Sequence, residues 1–214
     1  MSDQLKDLRT DYTLGELGDE GHPSCPFQFL TDWLEEARLQ AIKDFNACDL
    51  ATVDLEGFPT SRIVLLKGIE AEALCFYTNY RSAKGAQLAA SPKASMNLFW
   101  SALERQVRVR GVVHKLSAEA SNEYFSTRPR ESQIGAWASP QSSVIKNRSE
   151  LDSYFSNKKL EFSKNNQISR PDFWGGYGLT PDKFEFWQGR PSRLHDRLVC
   201  AKSDSGWTWL RLAP

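Results

Sequence analysis

ATVDLEGFPTSRIVLLKG, residues 51–68, reads as two β-rich runs folded about a turn at Glu56 and Gly57. β-Branched residues lie on both sides of the turn, and glycine there accepts the positive φ that a tight connection asks for. Working outward, ALCFYTN (73–79) supplies a third strand, and SAKGAQLAAS, closed by Pro92, a short helix. ASMNLFW (94–100) and ERQVRVRGVVHKL (104–116) resume strand character, the second alternating charged and apolar residues from Arg105 to Val113 as a half-buried strand does. The C-terminal part continues with WGGYGLT, KFEFWQG and HDRLVCAK, a Ser-Asp-Ser-Gly turn, and WTWLRLAP with Trp207 and Trp209 on one face.

Three helices interrupt the strands. One starts at Pro26, with Phe29, Leu30, Trp33, Leu34, Ala37 and Ile42 at helical spacing, and is expected to end near Asn46. The others follow Ser117 and Ser149, the last with Asp152 placed as in a capping box. SQIGAWASPQSSVI (132–145) between them reads as a connection of small and polar residues. Six or more strands without regular βα alternation predict a mainly β, antiparallel barrel rather than a doubly wound sheet. Residues 1–24 are polar and aperiodic and read as a flexible arm, and 25–214 as one domain.

Composition narrows the function. Lys plus Arg and Asp plus Glu both number 27, so no global field favours nucleic acid, although cations gather locally at 105–110, 128–130 and 190–197. Cys25, Cys48, Cys75 and Cys200 stand singly, without a C-x-x-C, and read as buried thiols of a cytoplasmic protein. Three histidines without H-x-x-x-H spacing give no support to a metal site. No apolar run is long enough to span a membrane, and neither a G-x-G-x-x-G nor a P-loop is present.

Four segments carry candidate chemistry. In RIVLLK, Arg62 and Lys67 bracket an apolar strand and point to different sides, either to serve separate anions or simply to flank a core strand at its solvated ends. In ERQVRVRG, Gln106, Arg108 and Arg110 share one face, where a glutamine suits a heteroaromatic edge and an ordinary solvated face fits equally. Tyr124 and Arg128 stand at i and i+4 with Ser132 just beyond a proline, a set that can converge on a phosphate or be a capped helix with an exposed arginine. FWQGRPSRLHDRL (186–198) is the densest. Arg193, His195 and Arg197, alternating at a strand edge, repel one another unless an anion or carboxylate is present, which favours a functional reading.

Together RIVLLKG, FYTN, LERQVRVRG, YFSTRPRESQIGAWASPQSSVI, FWGGY, EFWQGRPSRLHDRL and WLRLAP resemble the pyridoxamine 5′-phosphate oxidase family, from about residue 48 to the end, and LRTDY in the arm fits as well. The resemblance implies a split β-barrel that binds FMN across a homodimer interface and oxidises the 5′-phosphates of pyridoxamine and pyridoxine with O2. It places FMN contacts on Arg62, Ile63, Val64, Leu65, Leu66, Lys67, Tyr77, Thr78, Lys84, Gln106, Gln141, Ser142, Trp187 and Arg197. Of these, Arg62, Lys84 and Ser142 suit the FMN phosphate, and Gln106, Trp187 and Arg197 the ring's polar edge. It assigns the substrate phosphate to Lys67, Tyr124, Arg128 and Ser132, the pyridine ring to Arg193 and His195 as the catalytic pair, and closure over the substrate to Arg9 and Tyr12. The chain departs from the family where Ser82-Ala83-Lys84 replaces a frequent Ser-Arg-Lys, which implies looser FMN binding. Two other readings use parts of the same pattern. A split-barrel flavin reductase has no reason to keep Tyr124, Arg128, Ser132, Arg193 and His195 together, and a module that only stores flavin or pyridoxal phosphate shows no oxygen uptake.

Overall fold

The computed structural model describes Lys6, residues 11–19 and residues 23–214. Among them are α1 (Pro26–Leu39), β1 (Ala47–Val53), β2 (Pro59–Leu65), β3 (Gly68–Glu70), β4 (Ala73–Asn79), α2 (Ala83–Ala90), β5 (Lys93–Trp100) and β6 (Arg105–Lys115). α3 (Ala118–Thr127), α4 (Arg130–Ala138), α5 (Arg148–Glu161), β7 (Trp174–Gln188), β8 (Asp196–Ser203) and β9 (Gly206–Leu212) complete the chain. The strands pair in the order β2-β1-β5-β6-β7-β4-β3, with β8 between β7 and β9. The β3–β4, β4–β7, β7–β8 and β8–β9 ladders are all antiparallel, in line with the sequence.

Two compact units divide the chain. The first comprises Met1–Asp49, Ser95–Arg110 and Pro181–Pro214, and its core is aromatic. α1 turns Phe27, Leu30, Trp33 and Ala37 inward. Phe27 meets Phe184 and Trp207 edge-on, while Phe29 meets Phe186 and Trp209, so the two β9 tryptophans do share a face. Arg105 lies over the Trp33 ring at 4.7 Å, pairs with Glu36 and donates from Nε to Gln188 at 2.8 Å, which gives a partly buried guanidinium both a charge partner and a π face.

The second unit comprises Leu50–Ala94 and Gly111–Thr180. Its core gathers Phe125, Ile134, Phe162, Ile168 and Trp174, with Tyr77, Tyr124, Trp137 and Phe173 packed against it. The turn after β1 is built as expected: Asp54 Oδ1 accepts from the backbone N–H groups of Glu56 and Phe58, and Gly57 takes φ 89°. Ser82 caps α2 by accepting from the Gly85 N–H and donates to the Asn79 carbonyl, so the cap fixes where the helix begins and where Lys84 projects.

Several boundaries differ from expectation. α1 ends at Leu39, seven residues early, because Gln40 folds its N–H back onto the helix and Ala41 enters the left-handed region. Residues read as a connection contain α4, begun at Pro129, whose fixed φ starts a helix irrespective of the small residues that follow. α5 is capped by Asn147, not Ser149, and Glu150 in place of Asp152 reaches back, to the Lys146 N–H. WGGYGLT and KFEFWQG are one 15-residue strand; Pro181, with no N–H to give, falls between the residues paired with β4 and those paired with β8. β2 is not a buried strand, since Ile63 is 66% and Leu65 40% exposed. Cys48, Cys75 and Cys200 are buried, but Cys25 is exposed. No helix among the described residues is long and apolar enough to cross a membrane.

Ser82→Ala removes the α2 cap and leaves the Gly85 N–H unpaired. It is expected to cost about 1–2 kcal/mol, read as a lower denaturant midpoint with an unchanged slope.

Candidate functional site

A cavity of about 480 Å³ opens in the second unit. Its walls come from β2 and the residues after it (Ile63, Val64, Leu65, Lys67), β4 (Tyr77, Thr78), α2 (Lys84), the α3–α4 junction (Tyr124, Thr127, Arg128, Pro129, Ser132), Gln141 and Trp174. Eleven of these were expected from the sequence, in positions up to 78 residues apart. Thr127, Pro129 and Trp174 were not singled out, although Trp174 stands in the FWGGY stretch.

Local chemistry explains how the cavity is held. Pro129 ends α3 and starts α4, so Arg128 leaves the helix as its C-cap with extended backbone, and Ser132 comes from the next helix. Tyr77 and Tyr124 stack at 3.7 Å, with Trp174 parallel beyond them. The Arg128 guanidinium lies 4.5 Å over the Trp174 ring and 5.6 Å from Phe125. Its Nη1 is buried without a hydrogen-bond partner, and burial lowers its pKa, an effect that the neighbouring Tyr124 partly opposes. Burial raises the Tyr124 hydroxyl and, with help from Glu70, pushes Tyr77 up to about 12, so both phenols remain donors at neutral pH.

Lys84, a second cation, is buried. Its Nζ donates to Thr78 Oγ1 at 3.3 Å and to Gln141 Oε1 at 3.4 Å, both neutral, and burial followed by the nearby Arg62 charge lowers its pKa. Arg62 itself does not line the cavity: it hydrogen-bonds Thr52, Thr60, Gln87 and the Leu50 carbonyl, whereas Lys67 lies in the cavity wall. Leu66 is buried, and Ser142, left-handed at φ 71°, is exposed beside Gln141; neither lines the cavity. Among the described residues neither Lys84 nor Arg128 meets a carboxylate. A polar cavity with two such cations suits two anionic groups.

The first unit gathers the remaining candidates. Trp187 lies opposite Arg197 in the β7–β8 ladder and contacts His195 at 4.7 Å between ring centroids; Tyr12 meets both rings edge-on, at 5.6 and 5.5 Å. His195 Nδ1 accepts the Arg190 N–H at 3.1 Å, which leaves the proton of the neutral ring on Nε2 as a donor. Burial, and then the Arg193 charge, lower the His195 pKa. Strand alternation does not extend to Arg193 and His195, because β8 begins only at Asp196; Ser192 and Arg193 form a left-handed turn at φ 58° and 62°, a conformation that costs energy for side chains other than glycine. The expected repulsion is relieved by carboxylates: Glu185 holds Arg197, and Asp196 with Glu16 holds Arg190. Gln106 is half-buried on β6, whereas Arg108 and Arg110 lie exposed on the same face, paired with Glu185 and Asp182. Arg9 lies outside the described residues.

Residues 34–155 match the family model described as pyridoxamine 5′-phosphate oxidase, and residues 174–214 that of the pyridoxine 5′-phosphate oxidase C-terminal dimerisation region. The chain belongs to the pyridoxamine 5′-phosphate oxidase family. It is 48% identical to the pyridoxine/pyridoxamine 5′-phosphate oxidase of Pseudomonas paraeruginosa and 49% identical to that of Pseudomonas fluorescens, over the whole of both chains in each case. Among solved structures, PhzG from Burkholderia lata in complex with tetrahydrophenazine-1-carboxylic acid matches with a TM-score of 0.84 and 27% identity, over 90% of this chain and 94% of that one. A pyridoxamine 5′-phosphate oxidase-related, FMN-binding protein from Nostoc punctiforme, 19% identical, shares the fold with a TM-score of 0.72 over 90% of this chain and all of its own. The fold class is therefore the mainly antiparallel split barrel of this family.

Arg128→Met removes a half-buried charge that has no carboxylate partner among the described residues and keeps the side chain's bulk. The ligand-free variant is expected to be more stable than the native protein by about 1 kcal/mol in chemical denaturation, and to lose binding of inorganic phosphate at this cavity. His195 is expected to titrate below 6.5 by NMR. Since its folded value is the lower one, its contribution to stability is constant above 6.5 and becomes unfavourable as the pH falls below it.

Proposed function

We propose that this protein oxidises pyridoxamine 5′-phosphate and pyridoxine 5′-phosphate with O2 to pyridoxal 5′-phosphate, using FMN and releasing H2O2 and, from the amine, ammonia, in vitamin B6 salvage and biosynthesis. The observation that carries the reading is the presence in one cavity of Lys84, buried among neutral partners, and Arg128, half-buried with its Nη1 enclosed and without a hydrogen-bond partner. The reaction brings together two phosphates, one on the cofactor and one on the substrate, and this donor set fits both.

Lys84 and Ser142, with Arg62 behind them, hold the cofactor phosphate; Ile63 to Lys67, Tyr77, Thr78 and Gln141 line its path. Gln106, Trp187 and Arg197 meet the polar edge of the ring. Lys67, Tyr124, Arg128 and Ser132 hold the substrate phosphate, where the raised Tyr124 phenol favours donation to an anion. Arg193 packs against the pyridine ring, and His195 donates from Nε2 to its polar substituent. Arg9 and Tyr12 close over the bound substrate as part of an arm spanning 1–24, with 25–214 as the oxidase domain. FMN, when bound, supplies the two-electron acceptor that O2 reoxidises. The protein contributes position: fixing the reacting carbon can supply roughly 7–11 kcal/mol of the barrier. Two copies form the working unit, in keeping with the match of residues 174–214 to a dimerisation region, and each cofactor draws on both subunits. Three buried thiols and an exposed Cys25 fit a cytoplasmic enzyme.

The test is the visible spectrum of the purified protein together with oxygen uptake on adding pyridoxamine 5′-phosphate. A bound flavin, substrate-dependent uptake and an aldehyde product are expected; a flavoprotein inert to both B6 phosphates overturns the substrate assignment, and a protein that cannot take up FMN overturns both. Arg193→Ala is expected to lower turnover about a hundredfold with FMN retention unchanged, as measured by steady-state kinetics and flavin content.

A further inference from the structure

Two buried carboxylates have no role in the function proposed: Glu104, which accepts the Leu14 N–H, and Glu185. Glu185, on β7, is only 9% exposed in its side chain and has an arginine on each oxygen. Oε1 accepts from Arg197 Nε at 2.9 Å and lies 2.8 Å from its Nη2, while Oε2 accepts from Arg108 Nη1 at 3.3 Å. The remaining Arg197 nitrogen, Nη1, donates to the carbonyl of Ala213 at 2.9 Å. The ladder register explains the arrangement. Glu185 stands opposite Val199 and Trp187 opposite Arg197, so the carboxylate, the indole and the guanidinium lie on one face, two residues apart along their strands.

We propose that Glu185, together with the Ala213 carbonyl, is the positioning clamp of Arg197, fixing the guanidinium at the polar edge of the flavin and setting the net charge there. This rests on the assignment of Arg197 to that edge. A long arginine side chain loses conformational freedom on binding; the clamp removes that loss in advance by occupying all three nitrogens from the protein side. The carboxylate also offsets one of the two positive charges. Charge beside the ring is one of the means by which a protein tunes a flavin, and additional positive charge favours the more negative, reduced ring.

The test measures FMN affinity by fluorescence titration of the apoprotein and the midpoint potential of the bound flavin. Glu185→Gln is expected to weaken FMN by about tenfold or more, the usual effect of removing the partner that orients a ligand-holding residue, and to move the potential to more positive values. Glu185→Asp, which keeps the charge, is expected to lie nearer the native potential than the Gln variant. Arg197→Gln is also expected to weaken FMN but to move the potential the opposite way, since it removes a positive charge; general loosening of the site does not give opposite signs. Native affinity and potential in Glu185→Gln, or a shift of both variants in the same direction, overturns the inference. Should Glu185→Gln fail to fold, deletion of Ala213 and Pro214 removes the other half of the clamp, and unchanged FMN affinity in that variant is the overturning result. If Arg197→Gln itself leaves the flavin unaffected, the assignment of Arg197 to the ring edge falls, and this inference with it, while the oxidase reading is judged separately by oxygen uptake.

Discussion

A buried positive charge without a counter-ion is a cost that a folded chain carries only when its surroundings over-determine it. Lys84, buried, and Arg128, half-buried with its Nη1 enclosed, are held under that constraint. Lys84 is fixed by the capped start of α2 and by neutral acceptors on Thr78 and Gln141. Arg128 is fixed by the Pro129 break and by the Trp174 face beneath it. The stacked Tyr77, Tyr124 and Trp174 form one wall of the cavity. An anion bound by these cations under the proposed function would return the stability given up in its absence.

The first unit handles charge in the opposite way. Arg190, Arg197 and Arg211 are all answered by carboxylates, from Glu16, Glu185, Asp196 and Asp19. A paired guanidinium is suited to orientation more than to capture of an anion: its charge is already compensated and its geometry already set. His195 follows the same pattern, with Nδ1 committed to a backbone N–H and only Nε2 left to act. In the function proposed, phosphate capture falls to cations without a carboxylate partner in one unit, and ring orientation to clamped groups in the other.

The order of strands shows how an antiparallel sheet serves this arrangement. β7 pairs with β4 through Trp174–Asn79 and with β8 through Gln188–Asp196, so one strand carries Trp174 of the phosphate cavity at one end and Glu185 and Trp187 at the other. Alternation along such a strand selects which residues face the chemistry, and Pro181 marks the place where its partner changes.

The sequence by itself determined the antiparallel β class, most strand positions, the helices that start at Ser82 and after Ser117 and, through resemblance over most of its length, the family. Those features follow from local propensity and from residues close together along the chain. It left open whether Tyr124, Arg128 and Ser132 meet at one place or form a capped helix in water, because convergence depends on the Pro129 break and on which face α3 buries. It gave Glu185 no role, since a lone acid between two phenylalanines acquires meaning only when the β7–β8 register brings Arg197 onto its face. It read Arg193, His195 and Arg197 as mutually repelling on one strand face, whereas β8 begins only at Asp196 and Glu185, on the neighbouring strand, answers Arg197. Tertiary structure alone decided which cations are paired and which are not, for charge compensation depends on distance in space, and the chain brings distant residues within hydrogen-bonding reach only on folding.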